Sequence, residues 1–215
     1  MPAVPVSHIR QQHSWDCGLA CAAMVLASLA PGNDTVHVQE LCQQCGTKSV
    51  WTIDLAHVLA SRGCTVVFYT SLAGANPRYE NDVFYRTQIG PDSDRVTRLF
   101  ATARDVGIEV RQGQLGWQGL RDALQLGHRL AIVLVDKCKL RGISRCCCGL
   151  VNAGYVGHFL VVSAFRESSQ EFVAHDPSGS PSSRLISVSA LDQAWHAYGT
   201  DDDVLLVSRR VESNV

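Results

Sequence analysis

The chain has 215 residues, 46% of them apolar and 18% charged, with a net charge of −1. That composition supplies a sizeable core and excludes an intrinsically disordered segment, which combines low hydrophobicity with high charge. Nineteen basic residues against twenty acidic ones leave no excess for a phosphate backbone, so nucleic acid is not an expected partner. The length predicts one domain over residues 1–215. No apolar run near the N-terminus has signal-peptide length, and none elsewhere approaches the ~20 residues of a membrane span. The expected compartment is therefore the cytoplasm, with the nucleus as the alternative, and possession of nine cysteines points to core, metal or catalytic thiols rather than disulfides.

In chain order, Asp16 precedes an alanine-rich apolar run, 17–30, stopped by Pro31-Gly32, which predicts a helix with an acidic cap. Further helices are predicted over 35–44 and 52–62, the latter ended by Gly63. The β-branched and aromatic segment 65–70 (TVVFYT) predicts a strand, and 71–91 a surface excursion. A helix over 94–106, a short strand over 108–112 and a helix over 117–126 follow. In the last third, strands are predicted over 130–136, 158–165, 171–174 and 204–207, with a helix over 188–197 between them. Helices first and strands mostly last imply an α+β fold with an antiparallel sheet on which the helix from Cys17 packs.

Four residues stand in an order that carries chemistry. Gln11 lies six residues before Cys17, His158 opens an apolar strand (HFLVVSAF), and Asp176 follows the next strand (FVAHDP). A thiol is nucleophilic as a thiolate, and a helix N-terminus favours that form. An imidazole takes the proton, a carboxylate orients the ring, and a side-chain amide donates to the oxyanion. Taken singly, each residue has a plainer reading: Cys17 as a small core residue, His158 as a strand-edge histidine, Asp176 as a turn opener. His175 alternates to the opposite face of its strand, and Gln12 is the substitute for Gln11 if the register shifts by one.

The segment 11–24 (QQHSWDCGLACAAM) resembles the opening of papain-like cysteine peptidases that remove bacteriocin leader sequences. That resemblance implies a papain-like fold with Cys17 as nucleophile, His158 as base, Asp176 as orienting group and Gln11 as oxyanion donor. A second resemblance spans about 11–207. The blocks WDCGLAC, SVWTIDLA, LAIVLVD, GHFLVV and YGTDDDVLLV are similar to the eukaryotic guanylyl cyclase domain-containing family. It implies conversion of GTP to cyclic GMP, with Mg²⁺ as cofactor. The residues themselves offer only the run Asp201, Asp202 and Asp203 for metal work, and adjacent residues do not all face one site; no Walker-type glycine loop is present.

Cys42-x-x-Cys45 has metal-ligand spacing, and Cys138, Cys146, Cys147 and Cys148 could add ligands to a zinc site in the loop 137–157. The alternative places Cys42 in a helix and the CCC run in a loose loop. Cys21 and Cys64 read as core, and Trp15, Trp51, Trp117 and Trp195 as core and rim anchors, with a cleft-lining role beside Cys17 the alternative for Trp15. Asp201–Asp203 reads as a solvated turn. Three functions follow: a thiol hydrolase acting on a peptide or protein substrate with no cofactor, a guanylyl cyclase acting on GTP, and a binding module that keeps the cleft without chemistry.

Overall fold

Seven strands form one sheet: β1 (Cys64–Thr70), β2 (Ile108–Gln112), β3 (Arg129–Asp136), β4 (Gly157–Arg166), β5 (Glu171–His175), β6 (Arg184–Ser187) and β7 (Val204–Arg209). Their order across the sheet is β2-β1-β7-β3-β4-β5-β6. The computed structural model describes residues 4–29, 36–79, 84, 89–140 and 154–210. The helices are α1 (Cys17–Leu29), α2 (Val38–Cys45), α3 (Thr52–Ser61), α4 (Ile89–Thr102), α5 (Gly116–Gln125), α6 (Lys137–Leu140) and α7 (Val188–Trp195). The α+β expectation holds. Its antiparallel sheet holds for every neighbouring pair except β1 and β2, which run parallel. The connection between those two strands carries α4, which returns the chain to the same edge in the same direction.

Strand β3 shows how the two layers arise. Leu130, Ile132 and Leu134 join the core beneath α1 and α3, while Ala131, Val133 and Val135 join the core beneath α5 and α7. With both faces covered, every residue from Leu130 to Asp136 is buried, and the strand reads as a continuous apolar run rather than an alternation. On the first face, α1 is buried all the way from Cys17 to Leu26. A helix apolar on every side is a central one, and its alanines and Gly18 let neighbours approach closely. A Cβ on Gly18 would stand 2.8 Å from Leu55 Cδ1 and 3.0 Å from the Phe159 ring. Gly18→Ala is therefore expected to push α1 off both α3 and β4 and to cost about 1–3 kcal/mol, measurable as a lower urea midpoint with an unchanged slope.

One irregularity sets up the site. Between β4 and β5 the register shifts so that Val162 faces Ala174 while Ala164 faces Val173, leaving Ser163 as an extra residue. A one-residue slip turns every subsequent side chain to the other face. Phe165 and Phe172 thus share a face on one side of the bulge, and Leu160, Val162 and Ala174 share it on the other. By the same alternation His158 and Asp176 fall on one face, which an unbulged hairpin would deny them. The bulged Ser163 bonds through Oγ to His175 Nε2 at 3.0 Å.

Candidate active site

Cys17 opens α1 and is buried, 6% exposed. Asp16 accepts the first helical bond, from Ala20 N–H, through its main-chain oxygen. Its carboxylate does not cap the helix as expected. It reaches backwards instead, accepting Gln12 N–H at 3.1 Å and His13 N–H at 3.0 Å. Asp16 is 1% exposed, so its work is to fold the preceding loop against the helix start. That loop carries Gln11. Gln11 N–H donates to Pro177 O at 3.0 Å, and His8 Nε2 lies 2.9 Å from Asp176 O. The segment 8–11 is thereby stitched to the turn that bears Asp176. The Gln11 amide donates to His13 O at 2.6 Å, and its Oε1 is buried without a partner among the described residues. Gln12 is exposed and among the described residues meets only Gln39 through its side chain, which assigns the inward position to Gln11.

His158, second residue of β4, bonds through Nε2 to Asp176 Oδ1 at 2.8 Å; both are buried. The same Oδ1 accepts Ser178 N–H at 2.9 Å and Ser178 O–H at 2.8 Å. Burial alone would raise the Asp176 pKa, but the bond and charge of His158 and the two Ser178 donors outweigh it. The carboxyl is held well below the usual carboxylate range. Lys137, at the end of β3, donates through Nζ to Ser178 Oγ at 3.0 Å. Sequence reasoning missed both Lys137 and Ser178, because only the strand register brings them to Asp176.

Around the thiol the opposing influences are plain. Burial pushes the Cys17 pKa up and is the largest effect. The main-chain N–H groups of Phe159 and Gly18 and the charge of Lys137 pull it down, and Asp16 pushes it up. The net is a raised pKa, so the resting thiol is neutral at pH 7. The structure thus brings Cys17 against the main chain of Phe159, next to His158, and brings His158 onto Asp176. One turn further along α1, Cys21 is 0% exposed and its thiol feels the Asp176 charge.

Cys17 lines a cleft of about 370 Å³, together with Trp15, Lys48, Trp51, Thr52, Phe84, Tyr155, Phe159, Asp201 and Asp203. Trp15 lines the cleft, and Trp51, partly buried against the core beneath α1 and α3, is a rim anchor that also forms a cleft wall. The solvated-turn reading of Asp201–Asp203 fails: Asp203 is buried and the other two are partly so. Asp201 and Asp202 both take left-handed backbone (φ 47° and 57°), a turn tight enough for Asp201 and Asp203 to reach the same cleft. Asp201 accepts from Asn76 and from the Tyr79 hydroxyl, and Asp202 faces His196 at 2.7 Å and Gln114 at 2.9 Å. Burial, reinforced by Asp201 and Asp202 against the nearby Thr52 and Thr70 hydroxyls, holds the Asp203 carboxyl well above the carboxylate range.

Among the described residues no three His, Cys, Asp or Glu side chains converge on a point that could hold a metal ion. Cys146, Cys147 and Cys148 lie outside the described residues. Cys42 and Cys45 sit on α2, where burial pushes the Cys45 thiol up to about 12, with Asp54 adding to it. Cys64, first residue of β1, and Trp195 are core, as expected; Trp117 is partly buried against the α5/α7 core.

The model of the guanylylate cyclase family matches residues 6–207. The chain belongs to that family. Guanylyl cyclase 1 of Arabidopsis thaliana is 36% identical to it over 208 residues, covering 94% of this chain and 75% of that protein. In fold, this guanylylate cyclase family member is similar to the peptidase domain of Streptococcus ComA, a bifunctional ABC transporter of a quorum-sensing pathway. The TM-score is 0.52 at 13% identity, over 94% of this chain and 98% of that one. It is also similar to a protein from Bacillus anthracis described as a C39-like peptidase, with a TM-score of 0.56 at 13% identity over 97% and 96% of the two chains. The guanylylate cyclase family chain therefore has the papain-like fold of C39 peptidases. Among the described residues no helix is long and apolar enough to cross a membrane.

Proposed function

We propose that this chain is a papain-like thiol hydrolase acting on a peptide or related acyl bond. The observation that carries the reading is the buried His158–Asp176 pair, anchored beside the helix start that presents Cys17 to an open cleft. With Nε2 held by Asp176, Nδ1 is the nitrogen that exchanges a proton with the thiol. Cys17 Sγ attacks the carbonyl carbon as its proton passes to His158. The C–N bond then breaks as His158 returns that proton to the leaving amine, leaving a thioester. Water, deprotonated by His158, attacks the thioester and releases the acid and the thiol. The second N–H of the Gln11 amide and the main-chain N–H groups of the first turn of α1 are the donors for the oxyanion.

The family name also implies GTP and Mg²⁺. A two-metal clamp needs paired, ionised, uncommitted carboxylates. Asp201 is committed to Asn76 and Tyr79, Asp202 to His196 and Gln114, and burial raises the Asp203 pKa and so disfavours its ionised form. These side chains do not fit that group, and no step is derived through it.

The test is covalent. Incubation with a peptidyl aldehyde or vinyl sulfone library, followed by mass spectrometry, is expected to place the adduct on Cys17 among the nine cysteines. In parallel, peptide cleavage should be blocked by alkylation, with no thiol-sensitive cyclic GMP formed from GTP and Mg²⁺. Labelling spread over other cysteines with no cleavage would return the chain to the binding-module reading. Cyclic GMP formation indifferent to alkylation would favour the cyclase.

A further inference from the structure

The cleft holds more than the thiol mechanism uses. Thr52, first residue of α3, is 3% exposed, and Asp203, just before β7, is 9% exposed. Both line the cleft, yet Thr52 Oγ1 and Asp203 Oδ1 have no hydrogen-bond partner among the described residues. The Thr52 and Thr70 hydroxyls lie near enough to influence the carboxyl, but among the described residues no donor meets Oδ1 in bonding geometry. Buried polar atoms are almost always satisfied, because each unsatisfied one costs about 1–3 kcal/mol. Two neighbouring acceptors left open in one cleft mark a place where a ligand supplies the donors.

The surroundings say which donors. The cleft wall is aromatic, with Trp15, Trp51, Phe84 and Tyr155. Trp51 is held rigidly: its indole N–H donates to Asp92 at 2.8 Å and its main-chain N–H to Asp54 at 2.8 Å. Arg95 pairs with both of those carboxylates. Tyr155 lies so close to Gly199 that a Cβ there would come within 2.6 Å of the ring. Lys48, which also lines the cleft, is exposed and engaged over the Trp15 ring at 5.9 Å. Flat aromatic walls and open carboxyl and hydroxyl oxygens match a guanidinium, which stacks on aromatic faces, offers parallel N–H donors, and by its charge offsets the burial that disfavours ionised Asp203.

We propose that Asp203 and Thr52 form a specificity pocket for an arginine side chain of the peptide substrate. The word substrate rests on the hydrolase reading; the pocket itself is read by binding, without turnover.

The test is calorimetric titration of the full chain with Nα-acetyl-arginine methylamide and with its citrulline counterpart, which keeps the shape and loses the charge. Arginine is expected to bind at least about tenfold more tightly, which is a 1.4 kcal/mol difference. Asp203→Asn should bring the two within about twofold, and Thr52→Val should weaken arginine several-fold while leaving its preference over citrulline. Equal binding of arginine and citrulline by the unmodified chain overturns the proposal, even if Asp203→Asn fails to fold. So does an unchanged preference in a folded Asp203→Asn chain, or Asp203-dependent binding of guanosine with none of arginine. Failure of the hydrolase reading shows separately, as loss of Cys17 labelling with arginine binding intact.

Discussion

Cys17→Ala is expected to abolish peptide hydrolysis, by roughly 10³-fold or more, while lowering stability by no more than about 1 kcal/mol. The two readouts separate the nucleophile from the plainer alternative. Cys17 is buried in the core that includes α1, and a core cysteine would show the small stability loss with no change in rate. Cys21 supplies the control. It is fully buried on the same helix, so Cys21→Ala should cost a similar small amount of stability and leave hydrolysis unaffected. The raised pKa of Cys17 adds a pH signature. With the thiol neutral at rest, iodoacetamide should modify Cys17 slowly at pH 7 and faster as pH rises toward and beyond 9, the ordinary pKa of a free thiol. A preformed thiolate–imidazolium pair would instead react at a plateau rate from acidic pH upward. Hydrolysis near neutrality then depends on His158 removing the proton during attack, so His158→Ala should lose turnover without losing alkaline alkylation.

Much of the fold was legible because it is written in local patterns. The helix from Cys17, the strand 65–70 and the strand 108–112 follow from apolar runs and β-branched segments, and the structure places them at Cys17–Leu29, Cys64–Thr70 and Ile108–Gln112. The four-residue strand Arg184–Ser187 was not legible, since RLIS is too short to show alternation. Helix α4 starts at Ile89, five residues before the sequence suggested, because Pro91 sits in its first turn, where a missing N–H costs nothing. The site divides in the same way. Cys17, with its helix start, and His158, with its strand mouth, announce themselves locally. What brings His158 onto Asp176 does not. The bulge at Ser163 is a property of pairing between two strands, and no single-strand pattern reveals it. Lys137, Ser178 and Asp203 were missed for the same reason. Asp203 looked like the end of a hydrophilic run, and only the left-handed turn at Asp201 and Asp202 drives its carboxyl into the cleft.

Asp176→Ala tests the element that sequence could not settle. It removes the acceptor of His158 Nε2 and of both Ser178 donors at once. Removing the acceptor of these buried, charge-assisted hydrogen bonds should cost about 1.5–3 kcal/mol, and the ring, freed of its orienting partner, should lose hydrolysis by about 10²–10⁴-fold. The pH dependence has a definite sign. The folded-state pKa of Asp176 is depressed below its unfolded value, which is near 3.9. Its contribution to stability is therefore fully present above about pH 4 and is lost as pH falls below that toward the folded pKa. Urea unfolding should show the whole difference between the native chain and Asp176→Ala at pH 7, and a smaller one at pH 3. Arg184, 3.7 Å from Asp176 Oδ2 and 36% exposed, adds little, because solvent screens it. Arg184→Ala should thus leave the pH 7 stability within about 0.5 kcal/mol. An Asp176→Ala deficit larger at pH 3 than at pH 7 would mean that the carboxyl enters the folded state protonated. The His158–Asp176 contact would then be a neutral hydrogen bond, unable to stabilise the imidazolium that thiol attack requires.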